Sequence, residues 1–444
     1  MTRTTALGLA GTVALAVGGR AAGALPVRDG IALPRGEAAI GLLVAYFGLG
    51  LLIAAWWQLG RLVRGPRPPT TRSLLTTFAV WAAPLLLAPP LFSRDVYSYL
   101  AQGAMVSKGI DAYTYGPSVL GGAAAAEVPA IWRDTPAPYG PAFLALARLS
   151  AHAGITGMRA LALLGVALLA TQLPRLARRC GADPAQAVWL GALNPLVLLH
   201  LVAGAHNDAV MLGLLGAGLG AALARRPVVA AVLVTLAALV KAPAALGLLV
   251  VATLWAEHLE GRWRLARTGA GVAAVAGATT VGITAVTGVG YGWIGALSTP
   301  ASASNWSLVN TMARFMGTPH TWRVLSLVAV ALAIGAVWLF RRRLGPVYAL
   351  GLSLLAVALL GPAIRPWYLL WGLVPLAVAA PDGRVRRTAA VGSAVLALAV
   401  LPNGFPATVH QVVLATAGAA AALLPIVLLH LVRLLRPTRP APAP

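Results

Sequence analysis

The polar residues able to do chemistry in this chain are few, and they stand beside breaks in apolar sequence. Ser93-Arg94-Asp95-Val96-Tyr97-Ser98-Tyr99 follows the apolar run Leu74 to Leu91, which puts Asp95 at the mouth of a hydrophobic span. An acid in such a place is a candidate for chemistry, because ionisable groups at membrane depth are costly to keep. Gln102, Lys108, Asp111, Tyr113, Glu127, Asp134 and Tyr139 follow it in one long polar connection. His206-Asn207-Asp208, Lys241-Ala242-Pro243 and Arg365-Pro366-Trp367-Tyr368 add cations and aromatic rings at the ends of other apolar runs, and Asn305, Trp306, Asn310 and Arg314 lie in a second long connection. Cations at such ends suit a bound anion. Each group also has a plainer reading. Asp95 can serve the dipole of a helix first turn or be neutralised by Arg94. His206-Asn207-Asp208 can cap a helix, Lys241 and Arg365 can snorkel, and Tyr97, Tyr99, Tyr113 and Tyr115 can be interfacial aromatics.

The elements that must position these groups are membrane helices. The chain has 444 residues of which 10% are charged, and its mean hydropathy is +0.82. An all-α polytopic membrane protein of about 12 to 14 transmembrane helices is expected, since about 20 apolar residues are needed to cross the hydrocarbon core. The spans fall near 5–25, 38–60, 74–91, 157–174, 186–203, 207–224, 227–241, 243–256, 269–288, 323–340, 346–361, 366–381, 388–403 and 410–432. Those at 227–241 and 243–256 are short, and read as a tilted pair or one element broken around Lys241-Ala242-Pro243. The net charge of +23 comes from arginine clusters between spans, such as Arg175/Arg178/Arg179 and Arg341 to Arg343. That pattern marks cytoplasmic anchoring rather than nucleic-acid binding. It predicts an integral plasma-membrane protein with both termini and Cys180 in the cytoplasm and Asp95 outside. Residues 1–25 also carry features of a signal peptide, with Ala21-Ala22-Gly23-Ala24 as a cleavage site.

Residues 1–432 read as one membrane domain with external loops at 92–156 and 289–322, followed by a Pro/Arg-rich cytoplasmic tail at 433–444. Loops of that length are usually functional. Within the first, short interfacial helices are expected over Val96 to Val106, with Ser93 as N-cap, and over Ala142 to Ala153. No metal-ligand spacing and no phosphate-loop motif is present, so neither a metal site nor ATP-driven work is expected.

The ordered set Ser93 to Tyr99, Gln102-Gly103, Tyr113 to Pro117, Pro138 to Pro141, His206-Asn207-Asp208, Lys241-Ala242-Pro243 and Arg365 to Tyr368 resembles the actinobacterial polyprenol-phosphomannose-dependent α-1,6-mannosyltransferases. The resemblance covers roughly residues 74 to 380. It implies a GT-C-like helix bundle, an active site on the extracytoplasmic face, and inverting transfer of mannose from polyprenyl phosphomannose to a glycolipid or mannan acceptor, as in lipomannan assembly of the cell envelope. It implies no cofactor beyond the lipid-linked donor, and nothing in the sequence points to a protein partner. The family's essential external acid matches Asp95, which would take the acceptor proton. Arg365, Lys241 and His206 would hold the leaving phosphate, with Arg365 favoured for its bidentate fork. Trp367 and Tyr368 would hold the sugar face or the first isoprene units. Arg94, Tyr97, Tyr99, Gln102, Tyr113, Tyr139, Asn207 and Asp208 are the further substrate-binding candidates. The chain departs from the family pattern at Asp111-Ala112, where relatives often carry Asn-Pro; this makes Asp111 a second candidate acid and leaves the mannan step open. An arabinofuranosyl donor, a transporter or flippase for a lipid-linked sugar, and a noncatalytic scaffold are the competing readings.

Overall fold

A computed structural model describes residues 2–26, 35–297, 307–381, 383–404 and 407–435, with side chains described as far as residue 428 apart from residues 35 and 36. Asn305 and Trp306, and all but the first residues of the 433–444 tail, lie outside these. Among the described residues every extended regular element is helical, and the one β contact is an isolated bridge between Leu401 and Gly404.

Two long helices, α1 (Arg3–Ala22) and α2 (Arg35–Val63), run antiparallel along one side. Their backbones touch where glycines face each other. A Cβ on Gly18 would sit 2.4 Å from the carbonyl oxygen of Gly41, and one on Gly48 would sit 2.5 Å from that of Gly11. Close approach through small residues is how helices associate where lipid removes the hydrophobic drive between them. α3 (Thr71–Leu86) begins at Thr70, whose hydroxyl accepts from the Ser73 N–H. Arg159 meets the chain at its end, donating to Leu86 O at 2.8 Å and, just past the helix, to Ala88 O.

The polar connection after α3 folds into α4 (Asp95–Ser107), three short helical turns, and α5 (Pro141–Ala151). Ser93 does not occupy the N-cap position, which belongs to Arg94; its hydroxyl instead accepts from the Asp95 N–H at 3.0 Å. The bundle continues with α6 (Gly154–Arg179), α7 (Pro184–Gly191), α8 (Asp208–Leu223), α9 (Pro227–Val240), α10 (Gly247–Ala256) and α11 (Arg264–Thr287). It ends with α12 (Leu308–Met316), α13 (Pro319–Leu339), α14 (Pro346–Leu360), α15 (Leu369–Ala379), α16 (Gly383–Ala397) and α17 (Val409–Leu435). Where α2 meets α7, the Trp56 and Trp189 rings stack with centroids 4.9 Å apart, and each indole N–H donates to the other residue's backbone carbonyl.

All the expected spans contain helix; among the described residues six helices are long and apolar enough, by length and composition, to cross a membrane singly, or seven when one bent pair is taken as a span. The remaining helices are shorter than the about 20 residues of a straight crossing, and three of the expected runs are cut by backbone breaks. The run 186–203 is cut at Asn194-Pro195 and resumes as a wide turn over Val197–Ala203, which meets α8 at 109°. The run 227–256 is cut at Lys241-Ala242-Pro243 by a tight turn over Ala242–Leu246. The run 366–381 opens as another tight turn, Pro366–Tyr368. Proline removes a backbone donor and clashes with the preceding turn, which accounts for each of these three cuts.

Candidate active site

Two of those breaks, at Lys241-Ala242-Pro243 and at Pro366–Tyr368, border one cavity of about 390 Å³. α4 lends it Asp95, Ser98 and Gln102, whose spacing of three and four residues places them on one helix face. The loop after α4 supplies Trp132 and Tyr139, the break before α10 supplies Lys241 and Pro243, and the break before α15 supplies Arg365, Trp367 and Tyr368, with Trp371 one turn on. Leu327 of α13 and Val357 of α14 make the apolar side. A second, smaller cavity of about 70 Å³ lies on the N-terminal side of Asp95, lined by Phe92 to Asp95, Trp132, Arg365, Trp367, Asn403 and Gly404. Asp95 therefore borders two spaces at once.

Asp208 anchors the wall behind the larger cavity. It is fully buried and accepts from Lys241 Nζ at 2.7 Å and from the Trp371 indole. Lys241 lies over the Tyr368 and Trp371 rings, at 4.9 and 5.5 Å from their centroids, and its Nζ is 3.5 Å from Asn207 Oδ1. The His206-Asn207-Asp208 cluster is thus not a simple cap. Asn207 holds the cap position of α8 without making a capping bond, and the break is tight enough to hold Ala205 at φ 51°, a conformation rare outside glycine.

His206 corrects one expectation. It is fully buried, packs its ring on Trp367 at 4.3 Å, and does not line the cavity, so it cannot touch a phosphate held there. Its Nδ1 lies 3.7 Å from Asp95 Oδ2, 3.9 Å from Asp208 Oδ2 and 3.3 Å from the Tyr99 hydroxyl. It thus packs behind the acid.

Asp95 itself is half-buried. Burial pushes its carboxyl above the ordinary carboxylate range, with a further push from Asp208, while Arg365, Lys241 and the Ser93 hydroxyl hold it back. A carboxyl raised in this way can accept a proton, the chemistry a general base performs.

Arg94 does not neutralise this acid. Its guanidinium turns to Glu127 at 2.8 Å and to Leu25 O at 2.7 Å, and lies over the Tyr97 ring. Tyr97 in turn donates to Ala24 O. Both residues fasten the loop to the end of α1, and neither lines the larger cavity. Tyr99 is buried behind the site, donating to Asn207 Oδ1 at 3.3 Å. Tyr113 donates to the backbone carbonyl of Tyr139 and so fixes a cavity residue without lining the cavity. Asp111 closes a local turn, accepting from the Tyr113 N–H and the Thr114 hydroxyl, and takes no part in the cavity. Ser98, Trp132, Trp371 and Asn403 were not singled out from sequence. Ser98 carried a signal in its three-residue offset from Asp95; Trp371 was hidden inside an apolar run. Among the described residues no group of three or more His, Cys, Asp or Glu could hold a metal ion.

Comparison with known proteins gives this geometry a context. A family model described as α-(1→6)-mannopyranosyltransferase, N-terminal domain, matches residues 5–257. A second, described as the MptB C-terminal domain, matches residues 306–430. A probable α-(1→6)-mannopyranosyltransferase of Mycolicibacterium smegmatis is 36% identical, over 100% of this chain and 90% of that protein. α-(1→6)-mannopyranosyltransferase A of Mycobacterium tuberculosis is 35% identical over 86% of this chain and 81% of that protein. α-(1→6)-mannopyranosyltransferase B of Corynebacterium glutamicum is 32% identical over 93% of this chain and 79% of that protein.

Proposed function

Because the chain belongs to the α-(1→6)-mannopyranosyltransferase family, we propose that it moves mannose from polyprenyl phosphomannose to a mannan- or lipomannan-type acceptor on the outer membrane face. The protein is a membrane glycosyltransferase; the donor, the acceptor and the face are the proposal. The observation that carries it is the meeting of Asp95, Lys241 and Arg365, from three separate stretches of sequence, in one cavity with an apolar side.

In the proposed reaction an acceptor hydroxyl oxygen forms a bond to the anomeric carbon as the bond from that carbon to phosphate oxygen breaks. The hydroxyl proton passes to Asp95 and the electron pair leaves with polyprenyl phosphate. One in-line displacement inverts a β donor to an α product. Asp95 acts as general base, a role worth about 10²- to 10⁴-fold in rate. Arg365 holds the phosphate with a planar fork. Lys241 contributes charge, tempered by its 2.7 Å pair with Asp208. Trp367 and Tyr368 offer ring faces to the sugar, and Leu327, Val357 and Pro243 suit the first isoprene units.

The outer-face assignment rests on helix polarity. α8 starts at Asp208 beside the cavity and ends just before Arg225, and α9 starts after Arg226 and ends at Lys241. The arginine pair and the cavity are therefore at opposite ends of the same helices, and arginine clusters favour the cytoplasm.

The test is transfer of radiolabelled mannose in membranes bearing the full chain, with an α-1,6-mannoside acceptor and either polyprenyl phosphomannose or a nucleotide-linked mannose as donor. Transfer from the lipid donor, with the nucleotide donor inert once lipid-phosphomannose synthesis is blocked, is expected. Direct use of the nucleotide donor would overturn the donor assignment. Movement of the lipid-linked sugar across the bilayer without transfer would favour a flippase.

A further inference from the structure

We infer that Ser98 and Gln102 are specificity-determining residues that bind hydroxyl groups of the transferred hexose; the inference rests on the glycosyl-transfer reading above. Both side chains belong to the cavity wall, at 4% and 3% exposure. Among the described residues, neither Ser98 Oγ nor Gln102 Oε1 has a hydrogen-bond partner. Buried polar groups are nearly always paired, so two unpaired ones on the same turn-and-a-half of helix, both bordering one cavity, point to a polar ligand.

The chemistry of that ligand follows from the two groups. The unpaired Gln102 Oε1 can only accept and the Ser98 hydroxyl can donate or accept; sugar hydroxyls, which donate as well as accept, match this pair, whereas an anion or an alkyl chain offers Gln102 Oε1 no donor. Anions are provided for elsewhere in the cavity by Arg365 and Lys241, and alkyl chains by Leu327 and Val357. Rise along α4 places Ser98 about 4.5 Å and Gln102 about 10.5 Å beyond Asp95. A pyranose with its anomeric carbon near the Asp95 carboxyl and its ring directed along α4 would bring its ring hydroxyls to the start of this interval.

The stripe is held in orientation by its neighbours. A Cβ on Gly103 would lie 2.4 Å from Ala147 O, so α4 presses directly on α5. Tyr99, next to Ser98, meets Tyr139 and Phe143 edge-on at 5.5 and 5.1 Å. The helix cannot rotate its polar stripe away without losing these contacts. Aromatic walls receive a sugar's apolar faces, while the stripe reads which hydroxyls project sideways, the feature in which hexose epimers differ.

The experiment compares wild type with Ser98→Ala and Gln102→Met, the latter keeping side-chain volume, in full-length protein. Donors are polyprenyl phosphomannose and its 2-, 3-, 4- and 6-deoxy analogues. For wild type, removing the recognised hydroxyl is expected to lower kcat/KM about tenfold. In the variant that has lost its partner, the native donor is slowed by a similar factor and that one deoxy analogue is no longer worse than the native donor. Losses that add independently for every donor, or unaltered preferences, would overturn the inference while leaving the glycosyl-transfer reading intact. Absence of transfer by wild type from the native donor would overturn that reading and this inference with it.

Discussion

The α1–α2 pair and the cluster of broken helices around Asp95 solve opposite problems with the same material. In α1 and α2 the helices run uninterrupted, glycine meets backbone, and the buried contact is apolar. Around Asp95 the apolar runs are cut at Asn194-Pro195, at His206-Asn207-Asp208, at Lys241-Ala242-Pro243 and at Arg365-Pro366. There the loosened chain ends hold charges and rings against one another. Continuous helices carry stability; the breaks place ionisable groups where a continuous apolar helix would have none.

The comparison breaks most readily at Asp208. Asp208→Ala leaves Lys241 buried without its partner, and a loss of about 3–5 kcal/mol is expected. It is read as a fall in melting temperature of the detergent-solubilised protein, largely restored in Asp208→Asn/Lys241→Met. A melting temperature unchanged by Asp208→Ala would mean that the pair does not brace the site. In the continuous region, Gly48→Val forces α1 from α2 and is expected to cost about 1–3 kcal/mol. The surviving folded fraction should keep its donor KM; a changed KM would show the two regions to be coupled.

Arg365→Lys sharpens the site side. It keeps the charge and removes the fork, so kcat/KM for the lipid donor should fall about tenfold; an undiminished value would take the phosphate away from Arg365. The pH profile gives a subtler reading. Asp95 must be ionised to accept a proton and its carboxyl is raised by burial. Activity should therefore fall as pH drops through a value above the ordinary carboxylate one. Arg365→Gln removes the largest influence holding that value down, and should move the acid limb to higher pH. The same shift carries a stability sign: the folded state binds this proton more tightly than the unfolded chain, so its contribution is present at low pH and lost as pH rises through the raised value.

The positions of the breaks were legible because polar and proline residues interrupt apolar runs in sequence. Asp95, Lys241 and Arg365 were among the candidates such interruptions offered, and the family resemblance singled out Asp95. Their partners could not be read this way. Arg94 precedes Asp95 directly, yet its charge goes to Glu127, 33 residues on, because α4 begins between them and turns the two side chains apart. His206 looked like an accessible cation and is sealed behind Trp367. Hydropathy measures the length of an apolar run and does not report the 109° angle at which Val197–Ala203 meets α8. Trp371 was invisible because an indole that donates to a buried carboxylate looks, in sequence, like any other apolar residue.

The central claim is that Asp95, held between two cavities by broken helices, is the group that takes the acceptor proton. The most direct measurement is mannosyl transfer from polyprenyl phosphomannose by wild type and Asp95→Asn at matched membrane expression, with melting temperatures taken on the same preparations. The account predicts a loss of at least about a hundredfold in transfer, with a melting temperature equal to wild type or higher, since the substitution removes a carboxylate whose burial opposes its charge. Equal transfer by the two proteins would contradict it.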